Sequence, residues 1–344
     1  MTAMPTDEVL ATLRMLQGLD LPAHGGRTLA YVYDSGLADA DAVGLEALAM
    51  FAGSNGLDPT AFPSLLKMEN DLVALAGGLL DAPDGFAGSV TSGGTESILL
   101  AVLAARKGSD HPSPSMVLPT SAHAAFHKAA AYLGVRAVLV DVDPVTLRAD
   151  PAAMAAAVDD STVLVVASAP SYAHGVIDPV PEIAALAAAR GIRCHVDACI
   201  GGWVLPHLDV ATPWTFAVEG VTSVSVDLHK YAYTPKGVSV LLHRTAALRS
   251  THLFASANWP GYTMLNATMQ STRSGGPLAA AWAVTRRIGL DGYAELARRA
   301  REATLAIARA ADGIPGLRVL VTPDSTLLAL ATDDSCDAFT VADE

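Results

Sequence analysis

The sequence predicts an α/β protein with a mainly parallel β-sheet covered by helices. Short apolar runs alternate with helical stretches between residues 86 and 245. Several connecting stretches are rich in alanine, such as residues 181–190, and alanine favours helix more than any other residue. This alternation is typical of parallel sheets, because a helix carries the chain back to the start of the next strand. With 344 residues, 51% of them hydrophobic, the chain can bury a large core.

Each element of this fold is predicted from its local pattern. Helices are expected where apolar residues recur every three to four positions, and strands where short β-branched runs end at turn-forming residues. The predicted helices span 6–17, 40–51, 64–80, 181–190, 278–288 and 293–311. The predicted strands of the main sheet span 88–91, 115–119, 137–141, 162–167, 193–197, 221–227 and 238–242, and two further strands span 317–321 and 326–331.

The order of these elements indicates three regions. We expect an N-terminal arm over residues 1–60, a large domain over 61–312 and the start of a small C-terminal domain over 313–344. Residues 339–344 resemble the beginning of a helix. We therefore expect the small domain to be incomplete in this sequence.

Composition and charge exclude several classes of protein. The net charge is −13 and the 22 basic residues form no block, so nucleic acid is not expected as a partner. Cys194, Cys199 and Cys336 show no CxxC spacing, so we predict neither a disulfide framework nor a metal site. The sequence has no signal-peptide pattern and no uninterrupted apolar run of 18 residues. We expect a cytoplasmic protein without a transmembrane segment.

The stretch 221–236 places a lysine where a predicted buried strand ends. It reads VTSVSVDLHKYAYTPK, and Lys230 follows the β-branched run closely. In open α/β sheets ligands bind beyond the carboxyl ends of the strands, so an amine held there can attack a carbonyl group. A lysine that is merely solvated after a strand is the alternative.

The stretch 91–97, TSGGTES, links a predicted strand to an apolar helix. Its glycines let backbone N–H groups approach an anion, the helix N-terminus carries partial positive charge, and Thr95 adds a hydroxyl donor. The stretch fits neither the Walker pattern nor GxGxxG, which disfavours ATP and NAD. It predicts a phosphate-binding loop, although an ordinary capped strand–turn–helix has the same local pattern.

Asp197 is placed by the pattern at the end of another predicted strand. A buried carboxylate there can cap a helix, bind a metal, or keep a pyridine nitrogen protonated. Together, a phosphate-binding loop, a strand-end Asp and Lys230 correspond to the phosphate, ring nitrogen and aldehyde of pyridoxal 5′-phosphate. The combination predicts that this is the cofactor.

The chain resembles the pyridoxal-phosphate-dependent group II decarboxylase superfamily, and within it most closely the sphingosine-1-phosphate lyases. The resemblance covers roughly residues 25–285 and depends on TSGGTES (91–97), SAHAAFHKAA (121–130), HVDACIGGW (195–203) and DLHKYAYTPKG (227–237). It implies the type I pyridoxal-phosphate, or aminotransferase-like, fold. It also implies a homodimer with active sites at the subunit interface, and Lys230 as the lysine that forms a Schiff base with the cofactor.

The same resemblance implies roles for individual cofactor-binding residues. Gly94 and Thr95 would hold the cofactor phosphate, helped by His229. His123 would stack on the pyridine ring, and Asp197 would pair with its nitrogen. Isolated histidines are more often structural, but in the company of these motifs we expect both to serve the cofactor.

Further residues are assigned to the substrate or to the neighbouring subunit. The resemblance implies that Thr272 and Arg273, in the STRSG stretch 271–275, reach the phosphate bound by the neighbouring subunit. It implies catalytic roles at the reacting end or the substrate phosphate for Tyr33 and Lys236. Core packing of Tyr33 and a surface position for Lys236 are the alternatives.

The chain departs from the lyase pattern at three positions. Asp58 stands where the family has a histidine that faces a phosphate, Met264 where it has a tyrosine, and Ser271 where its loop has a glycine. An anion beside a substrate phosphate is repulsive by about 1–4 kcal/mol at about 4 Å. The substrate is therefore expected to be an amine, but not necessarily a phosphorylated sphingoid base.

We expect a carbon–carbon lyase that binds its amine substrate to the cofactor in place of Lys230. One outcome is cleavage of a 2-amino-alcohol phosphate to an aldehyde and an amine, and the other is decarboxylation of an amino acid. A non-catalytic scaffold with the same fold is the third hypothesis. Retention of Lys230, Asp197 and the 91–97 loop together argues against it.

Overall fold

The computed structural model describes residues 2–333, 337, 339 and 340. The chain forms two compact units, which meet in the sequence between Ala38 and Asp39. The N-terminal unit contains helix α1, Thr6–Gln17, as predicted. In its irregular part the Asp34 carboxylate accepts hydrogen bonds from the backbone N–H groups of Gly25 and Gly36, both at 2.9 Å. The proposed division at residues 60 and 312 stays a prediction.

The second unit is built on a seven-stranded sheet in the order β1-β7-β6-β5-β4-β2-β3. Its strands are β1 (Ala87–Thr91), β2 (Ser115–Pro119), β3 (Arg136–Val140), β4 (Thr162–Ser168), β5 (Arg193–Asp197), β6 (Ser223–Asp227) and β7 (Ser239–His243). Strand β7 pairs antiparallel with β1 and β6, and the other pairs are parallel. Each predicted strand of the main sheet is found within two residues of its expected bounds. The mainly parallel α/β fold is therefore confirmed.

Helices connect and cover these strands. They are α2 (Ala38–Phe51), α3 (Pro63–Leu79), α4 (Gly94–Lys107), α5 (Ala125–Leu133), α6 (Pro151–Ala157), α7 (Val180–Arg190), α8 (Ala246–Ser250) and α9 (Gly276–Asp312). The backbone of α9 is interrupted at Gly289, where φ is 68° and ψ is 168°. Glycine adopts a positive φ without steric cost, and the interruption lies between the two helices that the sequence predicts here.

The core has two layers, one on each face of the sheet. In β4, which is buried along its whole length, Val165 and Ala167 join a cluster that includes residues of α7. The intervening residues Leu164 and Val166 join another cluster with residues of α4 and α5. Alternate strand residues point to opposite faces, so the helices cover both faces of the sheet.

Four short strands form two additional antiparallel pairs. They are β8 (Phe254–Ser256) with β9 (Met264–Asn266), and β10 (Leu317–Val319) with β11 (Leu330–Thr332). The strand predicted over 317–321 is confirmed at a shorter length. The strand predicted over 326–331 is wrong in its first part, because this stretch follows a loop contact: Asp324 N and Ser325 Oγ donate to the carbonyl oxygen of Gly175, at 2.9 and 3.2 Å.

Two other expectations concern the C-terminal end and membrane insertion. The helix start predicted over 339–344 falls mostly outside the described residues, and Cys336 lies outside them entirely. Within the described part, no helix has both the length and the apolar character needed to cross a bilayer.

Candidate active site

A cavity of about 480 Å³ lies at the edge of the sheet where β1, β4, β5 and β6 end and β7 begins. Its position agrees with the rule that ligands of open α/β sheets bind beyond the carboxyl ends of the strands. The cavity brings together most of the predicted site residues: Gly94, Thr95, His123, Asp197, His229, Lys230 and Lys236.

One end of the cavity is formed by the N-terminus of α4. The residue before this helix is Gly93, so no side chain caps the first turn. The first N–H groups of a helix have no intrahelical partner, and they carry the positive end of the helix dipole. A Cβ on Gly94 would come 2.7 Å from Cys199 Sγ and 2.9 Å from Asp227 Oδ2, so only glycine fits. This end is suited to a phosphate.

The loop before α4 is held by Glu96, a buried carboxylate. Its Oε2 accepts a hydrogen bond from Ser92 N, and its Oε1 accepts one from Met269 N, both at 2.6 Å. The imidazole of His229 lies against the same loop: a Cβ added to Gly93 would be 3.4 Å from Cε1 of His229. Backbone donors occupy the Glu96 carboxylate, which leaves the open N–H groups of α4 for an anion.

Lys230 lies at the centre of the cavity's charged groups. Its Nζ is 3.0 Å from Oδ2 of Asp227, and His229 Nε2 is 3.7 Å from the same oxygen. Burial alone lowers the pKa of Lys230, but the Asp227 carboxylate raises this pKa above its ordinary value. Burial also lowers the pKa of His229, against the opposing effect of Asp227. Without a cofactor, the lysine is therefore an ammonium ion in an ion pair.

Asp227 is the residue of this cavity that the sequence analysis missed. It is the last residue of β6, only 3% of its side chain is exposed, and it lies three positions before Lys230. Its Oδ1 is buried without a hydrogen-bond partner among the described residues. The sequence did contain a signal for this residue, because an acidic residue lies at a predicted strand end close to a candidate nucleophilic lysine.

Asp197 reaches the cavity from the end of β5 and is 8% exposed. Its Oδ1 accepts hydrogen bonds from Cys199 N at 3.0 Å and from Ser225 Oγ at 3.3 Å. No group of three potential metal ligands among the described residues includes Asp197. A carboxylate that two donors fix through one oxygen, and that belongs to no such group of ligands, suits the N–H of a ring nitrogen better than a metal.

His123 and Lys236 complete the wall of the cavity. His123 Nδ1 accepts a hydrogen bond from Ala125 N at 3.1 Å, and its side chain is exposed, so it is not a core histidine. Lys236 Nζ donates to the carbonyl oxygen of His229 at 2.9 Å. Burial and the charge of Lys230 lower the pKa of Lys236. Two amines of different basicity therefore line one cavity.

Thr272 lies in a second, larger cavity of about 890 Å³, together with Asp58 and Arg273. Thr272 is not part of the lining of the Lys230 cavity, although Ser92, Glu96 and Gly237 line both cavities. Arg273 donates to Thr268 Oγ1 at 2.7 Å and pairs with Glu69 at 3.4 Å. The Asp58 carboxylate accepts two hydrogen bonds from Thr60, from its backbone N–H and its hydroxyl group. Asp58 is thus part of a local turn that lines this cavity.

Tyr33 belongs to the N-terminal unit, in an irregular segment after α1. Its side chain is partly buried. Its catalytic role stays a prediction that depends on the resemblance.

The donor groups of the Lys230 cavity fit pyridoxal 5′-phosphate. The glycine-lined start of α4 offers backbone N–H groups to a phosphate, Asp197 offers a carboxylate to a ring nitrogen, and Lys230 offers an amine to an aldehyde. The unpaired Oδ1 of Asp227 shows in addition that the polar groups here are not fully satisfied by the protein itself.

Comparison with known proteins agrees with this site. Residues 29–311 match the model of the pyridoxal-dependent decarboxylase conserved domain. Sphingosine-1-phosphate lyase of Dictyostelium discoideum is 42% identical over 295 residues, which are 84% of this chain and 56% of that protein. A probable L-tyrosine/L-aspartate decarboxylase of Methanothrix thermoacetophila is 34% identical over 296 residues, which are 85% of this chain and 75% of that protein.

A solved structure extends the comparison to three dimensions. The structure of a Burkholderia pseudomallei sphingosine-1-phosphate lyase has a TM-score of 0.93 and 35% identity, and the match covers 99% of this chain and 81% of that one. The chain spans less than three fifths of the length of the first two curated lyases that it matches, 56% and 59%. The pyridoxal-dependent domain, in contrast, covers most of the chain. The cofactor is pyridoxal 5′-phosphate, and the chain belongs to the pyridoxal-dependent decarboxylase family.

Proposed function

We propose that the protein is a pyridoxal-phosphate-dependent carbon–carbon lyase that cleaves a 2-amino-alcohol phosphate to an aldehyde and an amine. One observation carries the proposal: Lys230, Asp197 and the open N-terminus of α4 line one cavity of about 480 Å³. The similarity to sphingosine-1-phosphate lyases supports the choice of reaction. The four motifs of the sequence point to the same reaction through the family resemblance, with decarboxylation as the alternative.

The bound cofactor supplies an electron sink for the bond that breaks at the amine-bearing carbon. We assign the covalent attachment of its aldehyde to Lys230. The N–H groups at the start of α4, with Thr95 and His229, bind its phosphate. Asp197 holds a proton on its ring nitrogen, and His123 packs against the ring.

Proton transfer in the reaction is assigned to Lys236 and Tyr33, with Lys230. The lowered pKa of Lys236 supports this role, because a general base works best when its pKa approaches the operating pH. Asp227 favours the ammonium form of Lys230. We propose that it thereby keeps this amine protonated whenever it is detached, so that the lysine can return a proton.

We further propose a homodimer in which Thr272 of one subunit serves the cofactor phosphate of the other. The position of Thr272 outside the lining of the Lys230 cavity of its own chain supports a contribution to another site. Mixing Lys230→Ala with Thr272→Ala subunits tests this directly. A shared site predicts that the mixed dimers regain activity, because one of their two sites then has both residues. No recovery in mixed dimers would overturn it.

Decarboxylation of an amino acid is the second candidate function. The similarity to a probable L-tyrosine/L-aspartate decarboxylase favours it. Both reactions use the same cofactor site. They differ in the bond that is placed for cleavage and therefore in the products.

Product analysis separates the two reactions. The purified protein is incubated with a 2-amino-alcohol phosphate or with L-amino acids, and aldehyde and carbon dioxide are measured. Aldehyde release that is absent in Lys230→Ala supports the lyase, whereas carbon dioxide release supports the decarboxylase. A colourless protein that takes up no pyridoxal phosphate and forms neither product would favour the non-catalytic scaffold.

A cytoplasmic location is part of the proposal. Cys194 and Cys199 are buried free thiols, which supports a reducing compartment. Fluorescence microscopy of the tagged protein tests it, and a signal confined to membranes would contradict it.

A further inference from the structure

A chain of hydrogen bonds extends from Asp197 into the core of the protein. His195 lies two residues before Asp197 on β5, on the same face of the strand, and is fully buried. The parallel register of β5 and β6 pairs His195 with Ser223 and Asp197 with Ser225. His195 Nδ1 is 2.9 Å from Ser223 Oγ, and its Nε2 is 3.2 Å from Ser225 Oγ.

The chemistry of Asp197 determines which group donates and which accepts in each of these hydrogen bonds. An ionised carboxylate only accepts hydrogen bonds, so the 3.3 Å contact requires Ser225 to donate its single proton to Asp197 Oδ1. Ser225 Oγ must then accept from His195 Nε2–H, and it also accepts from Cys199 Sγ at 3.3 Å. The other nitrogen, Nδ1, is left as an acceptor for the Ser223 hydroxyl. Every member of the chain is satisfied in this arrangement.

The surroundings of His195 keep it in the neutral form that this arrangement needs. Burial lowers the pKa of His195 to about 4, although the charge of Asp197 opposes the shift. Its ring also makes an edge contact with Phe126, at 6.0 Å between ring centres. A protonated imidazole would have two donors and would lose the bond from Ser223.

We propose that Ser225 and His195 are positioning residues, which hold the Asp197 carboxylate in place to pair with the protonated ring nitrogen of the cofactor. Both hydrogen bonds to Asp197 go to Oδ1, so Oδ2 is the oxygen without a partner among the described residues. Buried hydrogen-bond chains polarise their members, and a donor to a carboxylate stabilises its charge. The proposal rests on the proposed function, because it assumes that the cofactor binds in this cavity.

The test compares Ser225→Ala with Ser225→Thr, which retains a hydroxyl group. Ser239→Ala is the matched control, because this buried serine of β7 bonds to Val226 O and Ser97 Oγ and has no part in the chain. Each protein is loaded with pyridoxal phosphate labelled with ¹⁵N in the ring. The nitrogen chemical shift then reports ring protonation as a function of pH, and absorbance titration gives the dissociation constant.

We expect Ser225→Ala to lose ring protonation at a pH roughly one unit lower than the wild type, since the Asp197 carboxylate is no longer held in position against the ring nitrogen. Its dissociation constant for the cofactor should rise about tenfold. Ser225→Thr should restore most of both properties, and Ser239→Ala should match the wild type. A wild-type titration curve in Ser225→Ala would overturn the proposal.

Two other outcomes are also decisive. If Ser225→Ala does not fold, Ser223→Ala removes the far end of the chain, and a smaller shift in the same direction is expected; an unchanged curve would then overturn the proposal. If the wild-type protein forms no covalent bond between Lys230 and the cofactor, the proposed function itself fails. The two failures are therefore distinguishable.

Discussion

Gly94 illustrates how one residue decides what the site can bind. Its Cα lies so close to Cys199 Sγ and Asp227 Oδ2 that a methyl group has no room. The absence of a side chain is what lets the start of α4 lie against the end of β6. The sequence predicts a phosphate contact for this glycine. The structure adds a second requirement for glycine here, because the neighbouring atoms leave no space for a Cβ.

Replacing Gly94 by alanine should therefore weaken cofactor binding. The added methyl group meets atoms within 3.0 Å, so either the helix start or Asp227 must move. We expect the dissociation constant for pyridoxal phosphate, measured by absorbance, to rise roughly tenfold or more. Gly78→Ala is the control, because nothing lies within 4 Å of a Cβ there. Equal affinities in the two variants would argue against the α4 phosphate site.

Asp227→Asn should change how readily Lys230 reacts with the cofactor. Only the neutral amine attacks an aldehyde, and Asp227 raises the pKa of Lys230. Without this charge the pKa falls, so covalent uptake of the cofactor by cofactor-free protein should reach its plateau rate at a lower pH. Stopped-flow absorbance between pH 6 and 10 measures the profile. A profile identical to the wild type would show that the ion pair has no influence on the lysine.

At the scale of elements, the segment after β10 supports a loop at the mouth of the active site. Asp324 Oδ2 accepts a hydrogen bond from Ile177 N at 2.8 Å, and its backbone N–H donates to Gly175 O at 2.9 Å. Arg148 pairs with the same carboxylate at 2.6 Å. The braced loop includes Tyr172, which lines the Lys230 cavity. A distant part of the sequence therefore shapes this wall.

Asp324→Ala should loosen this loop. Loss of a charged hydrogen-bond partner at a partly buried site is expected to cost about 1–3 kcal/mol of unfolding free energy. Amide hydrogen exchange at Ile177 should become faster, while exchange in β4 stays slow. Asp209→Ala, at an exposed position, is the control. Unchanged exchange at Ile177 would mean that the brace does not hold the loop.

The elements also show what local sequence predicts and what it leaves open. Helix and strand bounds of the main sheet were predictable, because β-branched runs and 3.6-residue periodicity are local signals. The register that places Ser225 beside Asp197 was not, because it depends on which strands are neighbours in space. The error over 326–331 has the same origin, since Asp324 and Ser325, just before this stretch, bond to Gly175, which is distant in the sequence.

The candidate site was predictable to a similar extent. Strand ends and a glycine-rich helix start pointed to Lys230, Asp197 and Gly94, and the structure places all three in one cavity. Asp227 was missed because its role depends on an ion pair rather than a sequence motif. The position of Thr272 outside the lining of the Lys230 cavity could not be read from its sequence neighbours either.

At the scale of the whole molecule, buried titratable groups link stability to pH. Burial lowers the pKa of His195 and of His252 to about 4, and lowers that of His243 well below its usual value. Unfolded histidines bind protons below about pH 6.5, and the folded ones do not until about pH 4. The contribution of these neutral histidines to the stability of the fold is therefore complete above pH 6.5 and decreases as the pH falls to 4. Burial raises the pKa of Asp178 to about 6. The folded protein therefore binds this proton more readily than the unfolded chain, so the contribution of Asp178 to stability increases as the pH falls over nearly the same interval.

We expect the free energy of unfolding to be lower at pH 5 than at pH 7, because three histidines outweigh one aspartate. His195 alone contributes about 3 kcal/mol across its full shift. Urea denaturation at both pH values measures the difference. His252→Phe, outside the active site, should reduce it. Greater stability at pH 5 than at pH 7 in the wild type would contradict the histidine contribution.

The most direct measurement for the whole account is borohydride reduction of the purified protein followed by peptide mapping. Reduction makes the bond between a lysine and the cofactor permanent, so mass spectrometry can locate it. The account predicts one pyridoxyl group, on the peptide that contains Lys230, and none in Lys230→Ala. A pyridoxyl group on Lys236 or another lysine in its place, or none at all, would contradict it.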